Sequence, residues 1–154
     1  MYSDRLTVGI VGNGFVGNAI YQNVRDELET KVYDIDPLRS LNTFEETIKQ
    51  SIVFVCLPTP MKMDGTCDLT YLDEFFKKLD PYQSLEALDN DAYDDPLYVI
   101  KSTVPVGTTE KYAELGHTVC HNPEFLTARN AVKDFRDAPR TIIGCLLYTS
   151  DAAD

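Results

Sequence analysis

Four short stretches hold the residues that could do chemistry. Gly12-Asn13-Gly14-Phe15-Val16-Gly17 has the G-x-G-x-x-G spacing and follows an apolar run. Leu57-Pro58-Thr59-Pro60, the Lys101 to Thr109 segment and Asn122-Pro123-Glu124-Phe125-Leu126 each follow a further apolar run. In the first motif Gly12 permits a tight turn, Gly14 lets the backbone approach a pyrophosphate, and Gly17 lets a helix pack close to a strand. A helix that starts at Phe15 and Val16 presents free N–H groups and a partial positive charge to an anion. Asp34 lies about twenty residues past the glycines, the usual place for a ribose ligand. A carboxylate there accepts hydrogen bonds from a ribose 2′-OH and repels a 2′-phosphate, which predicts NAD rather than NADP. Asp36 reads as a turn-forming neighbour of Pro37.

The other stretches are less specific alone. Pro58 and Pro60 restrict the chain and present Thr59 in an extended bend. Ser102 and Thr103 offer hydroxyls at a strand end. Thr108 or Thr109 could do no more than cap the next helix. Glu124 is expected at the start of a helix, where the dipole favours an anion, so a structural helix-end acid is its plainer reading.

These motifs need elements to position them. Leu6 to Val11 reads as a first strand. Val16, Ala19, Ile20, Val24 and Leu28 mark one face of a helix. Lys31 to Ile35 is a second strand. Thr43 caps a short helix, Phe44 to Gln50, with Glu45 and Glu46 in its first turn. Ile52 to Cys56 is a third strand, apolar enough to be covered on both faces. Helices are expected over Leu69 to Leu79, Thr109 to Leu115 and Phe125 to Phe135. Strands are expected over Tyr98 to Ile100, Thr118 to Cys120 and Thr141 to Ile143. Strands alternating with helices give an α/β, doubly wound, mostly parallel sheet of the Rossmann type. In such a sheet ligands bind beyond the carboxyl ends of the strands, so all four motifs can face one site. Asp80 to Asp95 carries six acids and no base and reads as a solvated loop.

Bulk properties narrow the classes. The 154 residues are 44% hydrophobic and 25% charged, which suits one globular domain. A net charge of -11 argues against a nucleic-acid surface. No run is long enough to span a bilayer, and the N-terminus lacks signal-peptide sections. Cys56, Cys67, Cys120 and Cys145 form no CxxC pair and no zinc spacing, so free thiols, no metal and a cytoplasmic location are expected.

Five pieces in order, GIVGNGFVG (Gly9–Gly17), VYDID (Val32–Asp36), VFVCLPTP (Val53–Pro60), IKSTVPVGTT (Ile100–Thr109) and NPEFLTARNAVKDF…PRTIIG (Asn122–Gly144), resemble the N-terminal domain of the UDP-glucose/GDP-mannose 6-dehydrogenase family. The resemblance implies oxidation of the C6 alcohol of a UDP- or GDP-sugar to a carboxylate with two NAD, through thiohemiacetal and thioester intermediates on a cysteine. It implies Gly12, Gly14 and Gly17 at the pyrophosphate and Asp34 at the adenosine ribose. It implies Thr59 and Thr103 lining the cofactor and reaction cleft, with Thr103 near the reacting carbon. Glu124 would serve the hydrolytic step, which needs a polarised water.

The chain departs from the family pattern in three places. Only Asp36 to Ser51 separates the second and third strands, which suggests a trimmed crossover. Ala128 and Arg129 stand where a glutamate and a small residue are common; Arg129 either meets an anionic group or points to solvent. The nucleophilic cysteine, the lysine and asparagine of the oxyanion site and the dimer-forming helix all belong beyond residue 144. The expectation is therefore an inactive fragment of a homodimeric enzyme. Cys145 to Asp154 resembles the translation of a sequencing adapter and is expected to be a poorly packed, non-native tail after a 1–144 domain. Two other readings stay open. One is a β-hydroxyacid-type NAD dehydrogenase domain, and the other is a non-catalytic nucleotide-binding domain.

Overall fold

The computed structural model describes residues 6–86 and 96–145. Its elements run β1 (Thr7–Val11), α1 (Phe15–Val24), β2 (Glu29–Tyr33), α2 (Phe44–Ile48), β3 (Ile52–Val55), α3 (Thr70–Glu86), β4 (Leu97–Ile100), α4 (Thr108–Glu114), β5 (Val119–His121), α5 (Ala131–Arg136) and β6 (Gly144–Cys145). They form one sheet in the order β2-β1-β3-β4-β5-β6. The first five strands are parallel, and β6 pairs antiparallel with β5 through Cys120↔Cys145 and His121↔Gly144.

Alternation along each strand sends neighbouring side chains to opposite faces. Val11, Val53, Val55, Tyr98 and Ile100 join Phe44, Ile48, Leu72, Phe75, Phe76, Leu79 and Tyr112 on one face. Val8, Ile10 and Val32 join Ile20 on the other, with Phe54, Cys56 and Phe135 packed against them. Helices therefore cover both faces, and the sheet is doubly wound as the sequence predicts. Thr43 caps α2 as expected, and Glu46 reaches back to the Thr43 amide to complete a capping box.

Four expected boundaries move for local reasons. β2 ends at Tyr33 because Asp34 accepts from the Asp36 amide (2.8 Å) and Asp36 from the Leu38 amide (3.0 Å), turning the chain outward. Its outer edge is covered by Asn42, whose Oδ1 accepts from the Val32 amide. α3 continues past Asp80-Pro81, since a proline forfeits one helical hydrogen bond without forbidding the helix. Part of the expected acidic loop is thus helical, and residues 87–95 of it lie outside the described residues.

The helix expected from Phe125 begins only at Ala131. Asp134 accepts from both the amide and the hydroxyl of Thr127, and residues 128–130 form a turn before the helix. Phe125 is 71% exposed. Glu124 is consequently a loop residue and does not open a helix. The last strand forms at Gly144–Cys145 instead of Thr141 to Ile143, where Asn122 Nδ2 donates to the Ile142 carbonyl (2.7 Å). The expected tail from residue 146 onward lies outside the described residues.

Gly17 controls how closely α1 meets β1. A Cβ there would stand 1.9 Å from the Gly12 carbonyl oxygen, and that neighbour is backbone. Gly17→Ala is expected to destabilise the domain by about 3 kcal/mol through overpacking. Urea unfolding measures this, and a wild-type midpoint contradicts it.

Candidate functional site: a cleft at the strand ends

The strand order places β1 and β3 side by side, with chain connections leaving in opposite directions. That is the switch point where an open α/β sheet forms its crevice. A cleft of about 660 Å³ opens there. Gly12, Gly14, Phe15, Val16, Asp34, Thr59, Thr103 and Glu124 all line it. Gly17 lies beneath the loop, against Gly12 and Ile10. Along the sheet edge the groups run from Asp34 after β2 to the glycine loop after β1. Thr59 after β3, Thr103 after β4 and Glu124 after β5 follow. The span is four strand spacings, about 19 Å.

The glycine loop leaves open space on its cleft side. Gly12 has φ +92°, and a Cβ on it would meet the Cys56 carbonyl oxygen at 2.5 Å. A Cβ on Gly14 would meet nothing within 4 Å, so this position faces open space. Gly14 is also the N-cap of α1 and supplies no capping side chain. The first-turn amides of Phe15, Val16 and Gly17 therefore lack helical partners and can donate to an anion. Asp34 Oδ2 accepts from the Asn13 amide at 2.6 Å, and Oδ1 accepts from the Asp36 amide. These two bonds orient the carboxylate and leave lone pairs on both oxygens.

The other end is cross-tied. Ser102 Oγ donates to the Leu57 carbonyl, and Thr59 Oγ1 donates to the Thr103 carbonyl at 2.7 Å. The Thr59 hydroxyl is thus committed to holding two loops together. Glu124 is half-buried and accepts from the Leu126 amide at 2.7 Å. Thr108 Oγ1 donates to the Pro105 carbonyl; Gly107 is the N-cap of α4, so neither threonine caps that helix.

Several cleft residues escaped the sequence reading. Lys101 is 4% exposed and lines the floor; its ammonium donates to Asn122 Oδ1 at 2.7 Å. Burial pulls its pKa below the ordinary lysine value, opposed by Cys56, Glu124 and Cys120 nearby. An ionisable residue directly after a buried strand was the available signal. Arg39, Lys78 and the aromatic wall of Tyr33, Phe44 and Phe75 also line the cleft, and no spacing in the sequence announces them. Ala128 and Arg129 line a separate pocket of about 330 Å³ between α1 and α5, sharing Phe15 with the main cleft. Among the described residues no helix is long and apolar enough to cross a membrane.

Fold and cleft together define a Rossmann-type dinucleotide-binding domain. A family model described as UDP-glucose/GDP-mannose dehydrogenase family, NAD binding domain, matches residues 18–152, beginning just past the glycine loop. Over 110 residues the chain is 38% identical to an uncharacterized protein of Methanocaldococcus jannaschii, covering 68% of this chain and 12% of that one. Over 132 residues it is 31% identical to a UDP-glucose 6-dehydrogenase of Rickettsia bellii, covering 81% of this chain and 28% of that one. The structure of a UDP-glucose dehydrogenase from the hyperthermophilic archaeon Pyrobaculum islandicum shares the fold, with a TM-score of 0.75 and 24% identity over 93% of this chain and 41% of that one. The chain belongs to the UDP-glucose/GDP-mannose dehydrogenase family, a family of NAD-dependent oxidoreductases, and carries its NAD-binding domain. It spans 12% and 28% of the length of these two curated relatives.

Cys56 lines the cleft but packs against the β1–α1 core, and desolvation pushes its thiol up from 9.0 to about 12. It stays protonated near neutral pH and is no thiolate nucleophile. Between those two values the native state keeps a proton that the unfolded chain has released. Cys56 therefore supports stability below about pH 9 and loses that contribution as pH rises toward about 12. Lys101 acts with the opposite sign, since its lowered value makes burial less costly once it deprotonates. Cys56→Ala is expected to flatten the alkaline fall in stability, read from urea unfolding at about pH 8 and about pH 11. Identical falls in both proteins contradict this.

Proposed function

We propose that this chain holds NAD for an enzyme that oxidises the C6 alcohol of a UDP- or GDP-sugar to a carboxylate. The carrying observation is that the glycine loop, oriented Asp34 and the loops after β3, β4 and β5 all face one cleft. The first-turn amides of α1 hold the pyrophosphate, and Asp34 accepts from the adenosine ribose. Bound NAD supplies the hydride acceptor. Thr103, whose hydroxyl projects from a loop tied to Thr59, lines the reacting end. Glu124 polarises the water needed for hydrolysis, and buried Lys101 holds the loop that carries it through Asn122.

The covalent cysteine chemistry, a homodimer built on a linking helix and a cytoplasmic location belong to the same reading. Family membership supports them. The chain alone binds NAD without turnover, because a covalent mechanism needs its nucleophile.

Calorimetric titration with NAD tests the site. Asp34→Ala is expected to weaken binding by about tenfold to a hundredfold, the worth of hydrogen bonds to a charged acceptor. Equal affinity in the two proteins removes Asp34 from the site.

A further inference from the structure

Asn13 is the one asparagine of the chain that precedes a glycine. An asparagine side chain can react with the next backbone nitrogen, and a glycine there has no Cβ in the way and the widest backbone freedom. The other asparagines lack that combination. Asn122 precedes a proline, which has no N–H to give up, and Asn42 precedes the β-branched Thr43. Asn18 and Asn23 lie inside α1. Residues 12–14 belong to no helix or strand, so no ladder of hydrogen bonds holds their backbone still.

The local contacts leave both reacting groups lightly held. The Gly14 amide donates to nothing among the described residues, and a Cβ on Gly14 would meet nothing within 4 Å, so the peptide has room to turn. One bond holds the side-chain amide of Asn13, from Nδ2 to the Arg39 carbonyl at 2.7 Å. Its Oδ1 is buried with no hydrogen-bond partner among the described residues. An unpaired buried acceptor makes that side-chain position costly and favours leaving it.

We propose that Asn13-Gly14 is a site of spontaneous deamidation that ages the glycine loop. The Gly14 nitrogen attacks Asn13 Cγ, and the new C–N bond replaces the Cγ–Nδ2 bond. The Gly14 proton departs with that nitrogen as ammonia, which leaves a cyclic imide. Water opens the ring at one carbonyl or the other and gives aspartate or isoaspartate. Either product damages the loop. A carboxylate at residue 13 cannot donate to the Arg39 carbonyl, and it sets a second negative charge beside Asp34 and the nucleotide phosphates. Isoaspartate lengthens the main chain between the Asn13 amide, which Asp34 holds, and the first-turn amides of α1. The effect on the nucleotide, unlike the reaction itself, rests on the cleft binding NAD as described above. Bound NAD grips the loop on both sides of Gly14 and slows the ring closure.

The test incubates the chain in warm, mildly alkaline buffer with and without NAD, while peptide mass spectrometry follows every asparagine. Asn13 is expected to convert first, about tenfold faster than Asn42, and more slowly when NAD is present. Calorimetry on the aged wild type and on Asn13→Asp is expected to show NAD affinity down by about tenfold or more. Asn13→Gln, whose longer side chain closes its ring far more slowly, is expected to keep its own starting affinity through the same incubation. Conversion of Asn13 no faster than that of Asn42 overturns the proposal. Full conversion that leaves NAD affinity where it began overturns it too. If fresh wild type binds no NAD while Asn13 still converts first, the deamidation site stands and the NAD reading falls.

Discussion

A 2.6 Å hydrogen bond from the Asn13 amide to the Asp34 carboxylate joins the turn after β1 to the turn after β2. The Gly12 amide, which donates to the Tyr33 carbonyl at 2.9 Å, makes a second tie between the same two strand tips. The Asp36 amide completes the grip on the carboxylate, and Asn13 Nδ2 draws the Arg39 backbone onto the same loop. Gly17 sets the depth of the arrangement by letting α1 descend onto Gly12, so the first-turn amides arrive at the crevice floor. A charged acceptor makes this bond stronger than an ordinary backbone pairing.

The opposite end of the cleft is held by side chains reaching for backbone carbonyls. Ser102 bonds to Leu57, Thr59 to Thr103, and His121 Nε2 lies 3.1 Å from the Ser102 carbonyl. Lys101 extends the pattern to Asn122, which in turn bonds the chain at Ile142. Three loops with no regular structure become one wall in this way, and Glu124 is fixed within it. The polar residues of the Pro-Thr-Pro and Lys-Ser-Thr stretches thus serve largely as struts. The groups left to face a ligand are the Thr103 hydroxyl, the Glu124 carboxylate and the Lys101 floor.

Much of this was legible in the sequence, for identifiable reasons. Buried parallel strands are nearly all apolar, so Val53–Val55 and Tyr98–Ile100 stand out, and the glycine spacing has a single geometric meaning once a strand precedes it. Asp34 followed from its distance past that motif. The failures came where side chains compete with backbone periodicity. Phe125, Leu126, Val132 and Phe135 look like a helical face, yet the Thr127–Asp134 bonds stop the helix short. Asp34 and Asp36 likewise end β2 early and leave Ile35 88% exposed. Arg39 and Lys78 resemble surface cations in the sequence, and only the fold brings them to the cleft. Lys101 is the opposite case, a charge beside an apolar run that the fold buries.

The central claim is that the glycine loop and Asp34 form one dinucleotide cradle, and amide-resolved NMR during NAD titration tests it most directly. The largest shifts are expected at Gly14, Phe15 and Val16 and across residues 34–36, with smaller ones at Thr59 and Thr103. Shifts confined to the α1–α5 pocket, or a spectrum that does not change, contradict the account.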